Sequence, residues 1–456
     1  MKKILIYLNI LIYFCLLFTS CKEESIDESI PVVPVINPIK AVTAQDGEDV
    51  ANALISKDDK TIVLIFFNEN DLSDVELHFK FNPRTKLVSI SDTIVKFDLR
   101  TPQKLVINNL FKDVTYTIYG VSPVKLASGI RSGSGTLLWS KKLQDDLKIN
   151  VLQVTGGIAA LDDYLAINTR DKGSIYVNSK TGALSPDTIN MNGIKGNLIN
   201  FYHTGDDNNN ILLCNLAPND ASNNGAFKVW KIQGVTGTPE PYITWAGGVA
   251  IGRKLSIIGS VDGDAIITAP IMGAGNRFAR WQVKAGVLQS QDPQLVTITG
   301  TNINWANNVD VVSTSSTDLT ADYFIAYGNN PSFISWVDGE TNAINSSGPS
   351  SVLVSNAADY VVFNKVPYVI HNNLNSGGTD DTAYIYDVST DTGLNSSIWN
   401  LTKGTYGGTN NGNGTGDVAF KVSENGFFLY TYIMFTNGSV VCIRFDCVDM
   451  EKSLPK

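Results

Sequence analysis

The chain has only 3 His and 5 Cys in 456 residues, and charged residues make up 17% of it. Three histidines leave little room for a His-rich metal site, and five cysteines do not make a disulfide framework at this length. Lys and Arg number 35 against 44 Asp and Glu, a formal net charge of -9. With no basic run to neutralise phosphates, nucleic acid is excluded as a partner. No Gly-x-Ser-x-Gly elbow, Cys-x-x-Cys pair or His-Glu-x-x-His is present. What is plentiful is turn chemistry, with 43 Asn beside 38 Gly. Hydrophobic residues at 43% argue against disorder, and the length suffices for two or more buried cores. Many tight turns in such a chain predict an all-β fold.

The first residues read as an export signal rather than as fold. Lys2 and Lys3 form a positive region, and Ile4 to Leu17 is an apolar run too short to span a bilayer comfortably. The run ends in Leu17-Phe18-Thr19-Ser20-Cys21, which resembles a bacterial lipobox. That resemblance implies a signal peptide over 1–20 and a diacylglycerol on the Cys21 thiol. Phe18 departs from the small or aliphatic residue usual two places before Ser20. The alternative is an ordinary secretory peptide with an incidental cysteine. Lys22-Glu23-Glu24 resembles the signal that sends Bacteroidota lipoproteins to the outer face of the outer membrane. Residues 21–38 then form an extended tether, kept open by Pro31, Pro34 and Pro38. The expected location is the outer membrane, held by lipid alone and facing the exterior.

Residues 39–125 show short alternating runs rich in β-branched and aromatic residues, such as Thr61 to Phe67, Val75 to Phe81 and Thr115 to Gly120. Asn-Pro-Arg and Lys-Asp turns separate them, which predicts a small β-sandwich. It resembles the Ig-like modules that stand between tether and main domain in many Bacteroidota surface lipoproteins. His78 is a strand residue in this reading. Cys442 and Cys447 lie on one strand and would point to opposite faces, so buried free thiols are expected there.

The remaining residues repeat. Ile175-Tyr176, Val229-Trp230, Arg280-Trp281, Ser335-Trp336, Ile385-Tyr386 and Arg444-Phe445 end equivalent strands, with the terminal aromatics 54, 51, 55, 50 and 59 residues apart. Three of the six segments are Phe-x-x-Trp, beginning at Phe227, Phe278 and Phe333. Four strands in about 53 residues is the arithmetic of a propeller blade. The sixth repeat ends after its third strand, and Thr136 to Lys141 supplies the missing one. A six-bladed β-propeller over 131–450 is expected, its last blade closed by that N-terminal strand. Seven blades is the rival count. Both faces of a blade are buried, so the Phe-x-x-Trp aromatics read as core.

In such a ring, the loops from second to third strand and from fourth strand to the next blade share one face. Here these loops are long, while the opposite face shows little beyond tight glycine turns. Function is therefore expected on the loop-rich face. It offers Trp245 and Trp305, with Tyr406 beside them, and the amides Asn215, Asn307, Asn308 and Asn372. It also offers Arg170, Arg253 and Arg277. Flat aromatics against sugar C–H faces, with amides and guanidinium groups for hydroxyls, are the chemistry of carbohydrate recognition. An enzyme would need a base or a metal. His203 and His371 stand apart, with no His, Asp and Glu cluster around them. No cofactor is expected. Asp206 to Asn210 has oxygen ligands for calcium but lacks the acidic spacing of a calcium loop, and reads as a polar hairpin.

Across its whole length the chain resembles Bacteroidota outer-membrane surface lipoproteins with an N-terminal Ig-like module and a C-terminal β-propeller. The resemblance implies a lipid-anchored glycan-binding protein of glycan-utilisation type, with polysaccharide or oligosaccharide as ligand and an outer-membrane glycan transporter complex as partner. It supplies no ligand motif. A protein-interaction or adhesion scaffold is the alternative, and a polysaccharide-degrading enzyme the third reading.

Overall fold

The computed structural model describes residues 34–47, 49–149, 156–168, 174–196, 198–219, 221–273, 275–299, 305, 307, 309–328, 333–349, 355–374, 381–406, 416–435 and 437–455. The signal peptide, Cys21 and most of the tether lie outside the described residues. Strands account for nearly all regular structure. The described helices are three single-turn 3-10 segments and one short α-helix, Met450–Ser453. None is long and apolar enough to cross a membrane. The chain divides into two compact units, 1–123 with 453–456 and 124–452.

The first unit is two sheets around one core. Asp49–Asn52, Ile39–Asp46, Val75–Phe81 and Ile94–Phe97 form one sheet, in that order. Leu54–Ser56, Thr61–Ile65, Asp113–Val121, Gln103–Asn108 and Lys86–Leu87 form the other. Its one parallel pair joins Thr61–Ile65 to Asp113–Val121. Alternation explains the arrangement. Val75, Leu77 and Phe79 point inward while Glu76, His78 and Lys80 point out, and Leu105, Ile107, Tyr116 and Ile118 meet them from the second sheet. His78 is an exposed strand residue, 2.9 Å from Glu76.

The second unit is a propeller-like succession of antiparallel sheets. Six are present among the described residues, five with strands in sequence order and one closed by a strand from the start of the unit. Their inner strands are Ile158–Ala160, Tyr202–Gly205, Ser256–Gly259, Val309–Ser313, Ala358–Phe363 and Asp417–Val422. Each inner strand packs beside the next, and the sixth returns to the first. In the sixth sheet Thr136–Lys142 pairs with Ser439–Asp446, leaving no open edge between chain start and chain end. The third sheet has a fifth strand, Gln294–Thr297, paired with Arg277–Lys284.

Burial follows from position in a sheet. Second strands such as Asn210–Cys214, Ala265–Pro270 and Tyr323–Tyr327 are buried at every residue, because both faces meet a neighbouring sheet. Outer strands such as Leu184–Thr188 are largely exposed. Hydrophobic clusters fill the gaps between successive sheets. The Phe-x-x-Trp spacing places its two aromatics on opposite faces. Phe227 packs toward the third sheet and Trp230 toward the first. Near the axis the inner strands of the first two sheets approach too closely for side chains. A Cβ on Gly157 would lie 2.8 Å from the His203 nitrogen, and one on Gly205 2.9 Å from the Ala160 oxygen.

Cys214, Cys442 and Cys447 are free and buried. Burial pushes the Cys442 thiol up to about 12, so it is an inert packing group.

Candidate functional site

The loop-face residues prove to be of two kinds. Trp245 ends the strand Glu240–Trp245 and is 9% exposed, with its ring edge-on to Trp281 at 6.1 Å. Trp305 is fully buried, and its indole N–H donates to the Ile271 carbonyl at 2.9 Å. This corrects the expectation of two stacking platforms. Each indole turns inward because the gap between adjacent sheets offers it an apolar slot, and in Trp305's case a carbonyl. The amides are corrected likewise. Asn215 donates to the Ala226 carbonyl at 2.9 Å and accepts from the Lys228 nitrogen at 2.8 Å. Asn372 accepts from the backbone nitrogens of Asn356 and Ala357, both at 3.1 Å. Both amides satisfy backbone groups that the sheet ladders leave over.

Tyr406 stacks on Phe435 at 5.9 Å. Arg253 is half-buried over the Phe201 ring at 5.7 Å. Arg277 and Asn307 are exposed. Arg170 and Asn308 lie outside the described residues. The loop-rich face therefore brings together no aromatic and amide cluster among its described residues. We expect Trp305→Phe to cost about 1–2 kcal/mol by orphaning the Ile271 carbonyl. Denaturant unfolding reads this, and ligand affinity per folded molecule should be unchanged.

A cavity of about 750 Å³ lies instead on the axis, lined from the inner strands and the turns that follow them. No described residue of the long loops lines it. Asp162, Asp206, Asp207, Asp359 and Glu424 contribute carboxyls, and Thr204, Ser256, Thr314, Ser315 and Ser316 contribute hydroxyls. Tyr202 and Tyr360 add aromatic surface, and Lys421 is the one basic side chain on the wall among the described residues. The face expected to carry little beyond glycine turns is thus the one with the cavity. What hid it is that these acids are scattered over four of the six repeats, most of them in the turn after an inner strand, where each alone reads as a turn residue.

Beneath the cavity lies a buried polar network that joins all six inner strands. The Lys254 ammonium is 2.8 Å from Asp417 and 4.6 Å from the centre of the Tyr202 ring. It also donates to the Gly156 carbonyl at 3.3 Å. Asp417 accepts from the Ile158 nitrogen at 2.8 Å and from the Tyr202 hydroxyl at 3.0 Å. Asp310 accepts from the Ser256 hydroxyl at 2.5 Å, from its neighbour Val311 at 2.9 Å and from the Ala358 nitrogen at 3.2 Å. Lys254 and the two carboxyls are nearly inaccessible to solvent. Burial raises Asp417 to about 6 against the pull of Lys254, and it raises Asp310 in the same way.

Asp359 is half-buried on the cavity wall. Its oxygens accept from the backbone nitrogens of Tyr360 at 2.8 Å and Phe420 at 2.6 Å. Burial, reinforced by Asp310 and Asp207, pushes its carboxyl up to about 8. Near neutral pH it is therefore largely an uncharged acid that donates an O–H. Asp206 is saturated by Asn208, Asn210 and Val261, so the Asp206–Asn210 turn is a closed polar hairpin. Among the described residues, no group of three or more His, Cys, Asp or Glu is placed to hold a metal ion.

His203 is on the inner strand of the second sheet and His371 on the second strand of the fifth. Both are buried, with Nδ1 at 3.2 Å from the Ser174 hydroxyl and 3.1 Å from that of Ser355, respectively. Neither lines the cavity.

A family model described as "Domain of unknown function (DUF8500)" matches residues 150–446. No curated protein matches the chain. Among solved structures, the chain is similar to a DUF4623 family protein from Bacteroides eggerthii, with a TM-score of 0.55 and 16% identity. That match covers 90% of this chain and 99% of the other, and it bears on fold alone. A weaker match is the WD40 domain of Toxoplasma gondii coronin, at a TM-score of 0.36 and 10% identity over 72% of this chain and 91% of that one. A score that low carries no argument.

Proposed function

The chain belongs to the DUF8500 family of unknown function, and from that premise we propose that it is a surface lipoprotein that binds glycan in the axial cavity of its second unit. In this reading Cys21 carries the lipid, residues 21–38 are the tether and 39–125 an Ig-like stalk. Residues 131–450 form a six-bladed propeller closed by Thr136–Lys142. The protein is a Bacteroidota outer-membrane protein facing the exterior, and a glycan transporter complex is its partner. The lipobox and the Lys22-Glu23-Glu24 signal support the address. The cyclic packing of the inner strands supports the blade count.

The observation that carries the ligand class is the cavity wall. Its volume falls within the roughly 300–1,000 Å³ of small-molecule sites. Carboxylates accept from sugar hydroxyls, and the Asp359 acid and the Ser and Thr hydroxyls donate to ring and hydroxyl oxygens. Binding moves from the loop-rich face to the channel because Trp245 and Trp305 have no exposed faces to offer.

Glycan arrays followed by affinity electrophoresis test the reading, with wild type beside Asp207→Asn, Asp359→Asn and an Arg277→Ala, Asn307→Ala pair. We expect retardation by at least one polysaccharide. Asp207→Asn loses a charge-assisted contact and Asp359→Asn the O–H that the acid donates, so either channel variant should weaken it about tenfold, and the loop-face pair should behave as wild type. The opposite pattern would return the site to the loop-rich face. No retardation by any glycan would refute glycan binding.

A further inference from the structure

Lys421 stands at the turn end of the cavity and reaches across three sheets. It projects from Asp417–Val422 in the sixth sheet, and its side chain is 11% exposed. Its ammonium is 3.2 Å from the Asp162 carboxylate, in the turn of the first sheet, and 3.4 Å from the Asp207 carbonyl, in the turn of the second. This ammonium is therefore committed to the protein itself. Among the described residues, no Arg and no second Lys lines the cavity.

The consequence is one of field rather than of a single contact. A cleft walled by low-dielectric sheets and carrying one sign of charge focuses its potential on whatever enters. Among the described residues, no ammonium lies at salt-bridge distance from Asp207 or Glu424, while Asp162 shares its own with Lys421. A uronate or sulfated sugar would have to enter against these groups, and it would have to displace Asp162 to reach Lys421. A neutral sugar meets acceptors for its hydroxyls. A sugar with an ammonium in place of a hydroxyl makes the same contacts with charge assistance.

We propose that the channel, lined by the carboxylates of Asp207 and Glu424 and with Lys421 locked by Asp162 and by the Asp207 backbone, selects against acidic glycans and in favour of amine-bearing ones. The inference rests on the glycan reading above and adds the ligand's charge to it. Asp207 and Glu424 are the specificity-determining residues in this account, and Lys421 partly offsets their charge.

Calorimetric titration with short oligosaccharides of glucosamine, N-acetylglucosamine and galacturonate, matched in length, provides the test. The glucosamine oligomer should bind about tenfold tighter than the acetylated one, and raising the salt should erase most of the difference. Galacturonate oligomers should bind at least tenfold more weakly than either. Lys421→Gln should widen the preference for the amine, and an Asp207→Asn, Glu424→Gln pair should abolish it, weakening the N-acetylglucosamine oligomer by about the tenfold expected for Asp207→Asn and the glucosamine oligomer by about a hundredfold. Binding of galacturonate as tight as that of glucosamine, or no effect of either variant on their ratio, would overturn the charge selection and leave glycan binding standing. Failure of all three oligomers, together with no retardation by any polysaccharide, would overturn the glycan reading and this inference with it.

Discussion

Lys254→Ala is expected to destabilise the second unit by about 3–5 kcal/mol, because it leaves carboxyls buried without their cation. Asp417 and Asp310 are almost wholly inaccessible, and Lys254 is the ammonium that opposes the effect of burial on both. The loss should depend on pH in a definite direction. Asp417 has a folded-state value of about 6, above its ordinary 3.8. The stability that comes from its protonation is complete below the unfolded value and disappears as pH rises through the folded one. Removing the ammonium raises the carboxyls further, so the variant is closest to wild type under acid conditions. Thermal unfolding at about pH 5 and about pH 8 should show a gap that widens with pH. A Lys254→Met, Asp417→Asn pair removes both charges at similar volume and should regain most of the loss. A gap that does not change with pH, or a double variant no better than Lys254→Ala, would mean that the network is not electrostatically coupled.

That network also marks where reading by residue type stops. The repeat of aromatics was legible because a strand in the middle of a sheet has both faces covered, and such a position demands a large apolar group at a constant spacing. Phe227 and Trp230 illustrate it, one packed toward the third sheet and the other toward the first. Closure was legible for a similar reason, since a repeat that stops after three strands needs a fourth from elsewhere. The site was not legible. Trp245 and Trp305 fell outside the repeat and so resembled ligand platforms, yet each fills a slot between sheets that no local pattern announces. Asn215 and Asn372 were chosen for the chemistry of their side chains, which the backbone consumes. The cavity acids Asp162, Asp207 and Asp359 lie up to about 200 residues apart and meet only at the axis. Lys254 and Asp417, 163 residues apart, meet there too.

The three histidines with which the sequence is so sparing now have a thermodynamic use as probes, because two of them are buried and uncharged. Burial lowers both His203 and His371 from 6.5 to about 4. Each drop corresponds to about 3–4 kcal/mol, so the pair accounts for about 7 kcal/mol between neutral and strongly acid conditions. Here the folded value lies below the unfolded one. The stability is therefore fully present above 6.5 and is lost as pH falls through about 4. Asp359 runs the other way, since its folded value of about 8 makes it stabilising under acid and less so as pH rises. The two trends oppose each other in the wild type, and variants separate them. His371 lies against Tyr384 and Tyr386, each with its ring centre 5.6 Å away, and Phe can keep both contacts. Its Nδ1 lies 3.1 Å from the Ser355 hydroxyl, so a His371→Phe, Ser355→Ala pair removes the titrating group without orphaning that hydroxyl. Thermal or denaturant unfolding from about pH 7 to about pH 4 should show this variant losing about 3 kcal/mol less than wild type, and Asp359→Asn losing more than wild type. If His371→Phe, Ser355→Ala tracks the wild-type profile, His371 is protonated in the folded state and the buried-neutral assignment is wrong.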